Sequence, residues 1–215
     1  MSESTDLNLV SCIMPTRARP GFAHEALRLW TLQTWPWKEL VILDDLDARS
    51  FPDGCSGIPD VQYHLLEQRL DIGAKRNVAV SRARGDIVAH WDDDDYSSPR
   101  RLEDQVSRLL GTGAQVTGYH LMTFVCGTRH WLYEAPYPPN GYALGTSLVY
   151  RKDFWRRHPF ADVRTGEDTH FVKTAAQENS LVTVPAGEFM HATIHPGNTC
   201  PRNITSAQFK ELTCA

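Results

Sequence analysis

The sequence predicts an α/β domain, a mainly parallel central sheet flanked by helices. Three observations point there. Three short apolar runs, LVSCIM (9–14), LVIL (40–43) and IVAHW (87–91), lack the alternation of a half-exposed strand and read as buried strands. Stretches of helical periodicity separate them, which is the pattern of a parallel sheet with crossover helices. Each run ends in polar residues: Pro15-Thr16-Arg17, then Asp44-Asp45, then four consecutive aspartates.

The elements follow in order. Residues 9–14 form the first strand. Residues 22–35 form a helix, with Phe22, Ala26, Leu29, Trp30 and Gln33 at helical spacing and Pro36 as its stop. The second strand, 40–43, gives way to a loop rich in Asp, Pro, Gly and Ser (47–60) and a weak strand at 61–65. Gly73 opens a helix that Gly85 closes as its left-handed residue. The third strand, 87–91, runs into the aspartates. Ser98 caps the next helix with Pro99 at its first position. Leu102, Val106, Leu109 and Leu110 form that helix's apolar stripe, and Gly111 stops it.

The second half is less regular. Residues 114–125 read as a strand bent at Gly118, 134–142 as a Pro-rich loop, 144–150 as a strand, 168–177 as a helix and 181–184 as a strand. The tail from 185 reads as irregular. Composition shifts near residue 111 without a linker. One domain is therefore expected, with a nucleotide-type half (8–111), a second half (112–200) and a tail (201–215).

Bulk chemistry narrows the function. A formal charge of -4 and a pI near 6.1 disfavour a nucleic-acid or anionic-membrane partner. The five cysteines are an odd number without C-x-x-C, so they read as reduced thiols in a cytoplasmic protein. The polar start MSESTDLNLV is no signal peptide, and no apolar run approaches membrane-spanning length. Peripheral membrane contact is left open.

The stretch HWDDDDY (90–96) places four like charges side by side. On extended backbone side chains alternate, so Asp92 and Asp94 are expected to share one face while Asp93 and Asp95 point elsewhere. Such a D-x-D pair suits Mg²⁺ or Mn²⁺, whose remaining ligands are water and phosphate. The repulsion is expected to be relieved when a divalent cation and a diphosphate arrive together. Ligands of open parallel sheets bind beyond the carboxyl ends of the strands. Thr16, Arg17, Asp44 and the acidic run can therefore share one rim.

Five segments occur in an order that resembles family 2 glycosyltransferases of the GT-A fold. They are IMPTRARP, LQTWPWKELVILDD, GAKRNVAVSRARGDIVAHWDDDDYSSPRRLE, GTSLVYRKDFW followed by TGEDTHF, and HPGNT, together covering about residues 10 to 198. The resemblance implies inverting transfer of a sugar from a nucleoside diphosphate donor to an acceptor hydroxyl on a glycan, lipid-linked or protein acceptor. Pro15, Thr16 and Arg17 would lie along the nucleoside. Asp44 would accept a pyrimidine imide N–H, which favours a UDP-sugar. Arg76 would contact the base or diphosphate. Asp92 would reach the ribose or metal, Asp93 would orient the loop, touch ribose or face water, Asp94 would bind Mn²⁺ or Mg²⁺, and His195 would be a further metal or diphosphate ligand. Asp168 would be the general base, with Glu167 beside it and Gly145 and Thr146 shaping the acceptor side.

Two departures stand out. Leu46-Asp47 replaces the Gly-Ser that often follows the family's second-strand aspartates, and the chain is short for the family. A nucleotidyltransferase is the second enzymatic reading, although PTRARPG lacks that class's phosphate-loop lysine. A non-catalytic sugar-nucleotide or divalent-ion module is the third. His191 and His195 stand four apart, yet HATIH lacks the Glu of a zinc H-E-x-x-H. Trp131 and Tyr133 are the expected sugar-stacking residues. RKDFWRRH (151–158) reads as a basic helix face, with an anionic acceptor as its functional alternative.

Overall fold

In the computed structural model, residues 8–51, 53–135, 137, 140–200 and 203–212 are described. The polar amino terminus, Cys214, and Pro136, Pro138 and Pro139 of the expected Pro-rich loop lie outside them. The first half runs β1 (Val10–Pro15), α1 (Pro20–Thr31), β2 (Lys38–Asp45), β3 (Val61–Leu66), α2 (Ile72–Arg82), β4 (Ile87–His90), β5 (Tyr96–Ser97) and α3 (Arg101–Thr112). The second half runs β6 (Val116–Cys126), β7 (Arg129–Glu134), a 3-10 turn (Gly145–Ser147), β8 (Val149–Arg151), α4 (Lys152–Arg157), α5 (Glu167–Gln177), β9 (Leu181–Pro185), β10 (Met190–Thr193) and β11 (Phe209–Leu212).

One sheet carries the molecule, in the order β11-β7-β6-β8-β4-β1-β2-β3. The parallel core of the α/β domain is β3-β2-β1-β4. Strands β1, β2 and β4 are buried on both faces, as apolar runs in a parallel sheet require. Val10, Cys12, Met14, Leu40, Ile42, Ile87 and Ala89 face α1 and α3. Ile13, Val41, Leu43 and Val88 face α2 and α5. Each Val, Leu, Ile or Met side chain among them contributes about 1.5–3 kcal/mol by burial. Hydrophobicity alone would tolerate a one-residue slip between two apolar faces. The polar pair Ser11 and Glu39 opposes it, being register partners joined by a 2.6 Å hydrogen bond. Beyond β4 the sheet turns antiparallel through β8, β6, β7 and β11.

Several boundaries differ from expectation, each for a tertiary reason. Helix α1 ends at Thr31, short of Trp35. Gln33 is instead buried, donating to the carbonyls of Leu29 and Ser98 and accepting the Leu102 N–H at 3.1 Å. It thereby caps α3 from outside the helix, and Ser98 makes no side-chain cap. Helix α3 passes Gly111 and ends at Gly113, which has φ 70. Gly85 is not left-handed but tightly packed: a Cβ there would lie 2.2 Å from the Leu9 carbonyl oxygen. The expected strand at 144–150 divides into the 3-10 turn and β8. The tail contains β10 and β11, which the chain pattern alone does not mark: β10 pairs with β5 and β6, and β11 with β7. Cys12 and Cys55 are buried free thiols; Cys126 and Cys200 are exposed ones.

Candidate active site

The strand order reverses direction at β1, which lies between β2 and β4. The chain leaves β1 toward α1 on one side and leaves β4 into the aspartates on the other, so a crevice opens between them. Thr16 bridges it, donating to Asp93 Oδ2 at 2.7 Å and sharing a 2.6 Å hydrogen bond with Ser50. Around this point lie two adjoining cavities of about 260 and 530 Å³. They meet at Arg19, Asp93, Arg164 and Asn198.

The four aspartates do not alternate. The strand ends at His90 and the chain turns at Asp93 and Asp94, so the period of an extended strand no longer applies. Asp92 reaches Arg76 at 2.9 Å. Asp93 takes Thr16 and Arg19, the latter at 2.9 Å. Asp94 Oδ2 receives Arg19 at 2.9 Å, His195 Nε2 at 2.9 Å and Asn198 Nδ2 at 3.3 Å. Asp95 takes the Thr146 hydroxyl and the Thr193 N–H. The expected shared face of Asp92 and Asp94 is thus replaced by Asp93 and Asp94 sharing Arg19. Their repulsion is already relieved by two arginines, before any ligand arrives.

Electrostatics distinguish Asp92, Asp93 and Asp95. Burial opposes the Asp92 charge, but Arg76 outweighs it and holds Asp92 below the usual carboxylate range. Burial and the neighbouring Asp94 charge push Asp93 up to about 6, although Arg19 opposes them. The same two causes push Asp95 up to about 8.

The opposite wall comes from α5 and the 3-10 turn. Glu167 is buried and ion-paired with Arg76, which also holds Asp92, so one buried guanidinium ties α5 to the end of β4. Burial, and secondarily the Asp168 charge, raise the Glu167 carboxyl against the pull of Arg76. Asp168 behaves differently. Half-buried, it lines the smaller cavity, makes no ion pair among the described residues and takes one long hydrogen bond, 3.4 Å from the Thr169 hydroxyl. Its Oδ2 lies against Gly145, where a Cβ would come within 1.5 Å. The Gly145 carbonyl accepts from His90 Nδ1 at 2.7 Å, and burial keeps that imidazole neutral. Arg101, also buried, donates to the carbonyls of His90 at 2.8 Å and Thr146 at 3.2 Å. The turn is therefore fixed from below as well as from α5.

The remaining expected residues divide. Pro15 lines both cavities; Arg17 lines the larger and pairs with Asp45 and Asp47. Gly145, Thr146 and Arg76 line the smaller. Asp44 is corrected: it is fully buried and accepts from the backbone N–H groups of Asp45, Ser50 and Phe51 and from the Tyr63 hydroxyl. Oδ2 takes three of these donors and Oδ1 one, and Asp44 lines neither cavity. Asp45 does so instead. His191 stacks on Tyr96, away from Asp94. Trp131 is buried beneath Arg129, and Tyr133 packs on Phe124 and Phe209; Phe124 and Tyr142 are the aromatics of the smaller cavity. In α4, Arg156 and Arg157 pair with Asp153 and Glu178 and line neither cavity. Sequence reasoning passed over Arg19 and Lys75. The buried Lys75 ammonium donates to the Thr16 carbonyl and to Asp45, each at 2.7 Å.

The cavities carry opposite charge. Around the smaller, Asp92 to Asp95, Glu167 and Asp168 outnumber Arg19, Arg76 and Arg164. Around the larger, Arg17, Arg19, Arg69, Lys75 and Arg164 outnumber Asp45, Asp71 and Asp93. A basic pocket opening into an acidic one suits a ligand with an anionic part and a neutral part.

The model of a family described as Glycosyl transferase family 2 matches residues 11–166. The succinoglycan biosynthesis protein ExoO of Rhizobium meliloti (strain 1021) is 35% identical over 80 residues, which are 36% of this chain and 23% of that protein. TuaG of Bacillus subtilis (strain 168), named for teichuronic acid biosynthesis, is 29% identical over 125 residues, 53% of this chain and 48% of that protein. The chain thus spans less than half the length of either relative in these matches. Among solved structures, S. aureus TarS in complex with UDP-GlcNAc superposes with a TM-score of 0.68 at 21% identity, covering 89% of this chain and 60% of that one. The mannosyltransferase PcManGT from Pyrobaculum calidifontis, in complex with GDP-Man and Mn²⁺, gives 0.68 at 16% identity, covering 86% and 56%. At these identities the likeness is one of fold. No helix among the described residues is long and apolar enough to cross a membrane.

Proposed function

Because the chain belongs to glycosyl transferase family 2, we propose that its paired cavities bind a nucleoside diphosphate sugar and transfer the sugar, with inversion, to an acceptor hydroxyl. The observation that carries this reading is the state of Asp168. Every other carboxylate of the acidic cavity is engaged by an arginine or by hydroxyl and N–H donors, whereas Asp168 has free acceptor capacity beside open space. A general base needs an unengaged lone pair near the proton it removes. Glu167, held by Arg76, is a positioning partner rather than a second base.

The division of labour follows the charge. Residues of 8–111 form most of the basic cavity, where Arg17, Lys75 and Arg69 favour the diphosphate. The 3-10 turn and α5, from 112–200, form the acceptor wall with Gly145, Thr146 and Asp168. The acceptor is a hydroxyl of a glycan, lipid-linked or protein substrate. A UDP-sugar is the donor put first, supported by the likeness to TarS, whose structure contains UDP-GlcNAc. Asp44 lends that choice no support, since its oxygens are taken by the protein.

Asp94 and His195 are the residues that would hold a divalent cation. They offer an oxygen and an imidazole nitrogen 2.9 Å apart. Among the described residues no group of three or more His, Cys, Asp or Glu is arranged to hold a metal ion by itself. Two protein ligands suit Mn²⁺ or Mg²⁺ completed by water and phosphate. When bound, the ion supplies neutralisation of the charge gained by the departing diphosphate.

The test is Asp168→Asn, with nucleotide release followed for UDP-, GDP- and dTDP-sugars offered to glycan, lipid-linked and peptide acceptors. Transfer should fall about 10²–10⁴-fold, the ordinary contribution of a general base. The UDP–Mn²⁺ thermal shift should persist, about 2.7 kcal/mol at a hundredfold excess over Kd. Wild-type turnover in a folded variant would reject Asp168 as base. No shift with any nucleotide would reject the donor reading.

A further inference from the structure

We propose that Arg19 is the resident counter-cation of the acidic run, and that it makes divalent-cation binding conditional on the donor diphosphate. The proposal rests on the glycosyltransferase reading for the identity of the diphosphate, but not for the geometry. Arg19 Nη1 donates to Asp93 Oδ1 and to Asp94 Oδ2, both at 2.9 Å, and Nη2 donates to the Gly197 carbonyl. Its guanidinium therefore occupies the carboxylate that a metal would use. Arg is always charged, so it leaves only by moving, not by losing a proton.

The backbone aims it there. Ala18, immediately before it, has φ 55, a left-handed conformation that is unfavourable for a residue with a Cβ. The conformation is held by the Ala18 N–H to the Ala48 carbonyl at 2.8 Å and the Arg19 N–H to Ser50 Oγ at 3.2 Å. Strain retained at one residue next to a functional group is a mark of a position the surroundings enforce.

Gly197 links Arg19 to His195. Its carbonyl takes Arg19, and its N–H donates to His195 Nδ1 at 3.1 Å. An imidazole accepting at Nδ1 carries its proton on Nε2, which faces Asp94 Oδ2. So His195, like Arg19, is engaged with Asp94 here, and its Nε2 must part from Asp94 Oδ2 before the two can hold an ion between them. A divalent ion must therefore separate both from Asp94, and Gly197 couples the two movements. Arg19 also lines both cavities, so a diphosphate in the basic one is the anion that can receive it. The metal replaces Arg19 on Asp94 while the diphosphate takes Arg19, and neither exchange is favourable alone.

Binding of Mn²⁺ is followed by the loss of its free electron paramagnetic resonance signal, with and without UDP, for wild type, Arg19→Gln and Arg19→Lys. Wild type should bind Mn²⁺ weakly alone and at least about tenfold more tightly with UDP, because the displaced charge then has a partner. Arg19→Gln should bind Mn²⁺ alone at least about tenfold more tightly than wild type, and Arg19→Lys should stay near wild type. A merely structural arginine would not raise metal affinity when removed. Unchanged or weaker Mn²⁺ binding by Arg19→Gln overturns the proposal. If that variant does not fold, wild type decides alone: equal Mn²⁺ affinity with and without UDP overturns it. Failure of every nucleotide to bind would instead reject the donor reading, and the Mn²⁺-only comparison would still test Arg19.

Discussion

Gly145 and Asp168 occupy one another's space: a Cβ on residue 145 would lie 1.5 Å from Asp168 Oδ2 and 2.5 Å from its Cγ. The carboxylate is positioned by the absence of a side chain. Gly145→Ala should push it away by about an ångström, and displacement of that size costs on the order of 10²-fold in rate. Steady-state transfer should fall by that factor while UDP affinity, read by thermal shift, changes little. Equal loss of both would mean that the turn, not Asp168, had been disturbed.

Arg76 serves Asp92 and Glu167 together from a buried position. Arg76→Met leaves two buried carboxylates without a cation, so urea denaturation should reveal a loss of about 3–5 kcal/mol. Glu167→Gln should be milder, since Asp92 keeps its partner. A double variant less destabilised than the sum of the singles would measure the coupling.

Among the described residues Arg101 pairs with no carboxylate; it is bonded to the His90 and Thr146 carbonyls, Ser97 and Gln105, with Trp91 5.1 Å from its guanidinium. Arg101→Met keeps the length and removes the donors. Buried carbonyls left unmet cost about 1–3 kcal/mol each. A melting temperature within a degree of wild type would show that water replaces the guanidinium.

Glu39, fully buried in β2, predicts part of the acid limb of stability. Burial alone would raise its carboxyl, but hydrogen bonds from Ser11, the Arg84 N–H, Gln62 and the Arg84 guanidinium lower it below the usual range. A depressed carboxyl stabilises the fold above the unfolded-state pKa, about 4.3 for Glu. That stability is lost as pH falls through the lower folded-state value. Glu39→Gln should be less stable at pH 7 by about 1–3 kcal/mol, since its amide opposes donors. Its stability should also fall less steeply below about pH 4.3. Parallel acid limbs for the two proteins would remove Glu39 from that account.

Much of this was legible in the chain. The apolar runs of β1, β2 and β4 can be buried only between two helical layers, and the stripe of Leu102, Val106 and Leu109 supplies one of those layers. The acidic strand end and the Glu167-Asp168 pair at the start of α5 are local features with local signatures. Asp44 lines neither cavity, and the sequence cannot distinguish a carboxylate facing a cavity from one buried against the Ser50, Phe51 and Asp45 amides. The alternation rule failed for Asp92 to Asp95 because it holds for extended backbone, and the strand had ended two residues before.

By itself the sequence determined the parallel core, the order of its helices and the presence of an acidic crevice at the end of β4. These depend on periodicity, which is written along the chain. The tertiary structure decided which carboxylate is free. Among the described residues Asp168 pairs with no cation, Arg76 being held between Asp92 and Glu167, and Arg19 between Asp93 and Asp94. Those pairings join residues 16 to 91 positions apart, and no local pattern encodes a charge that is cancelled from so far along the chain.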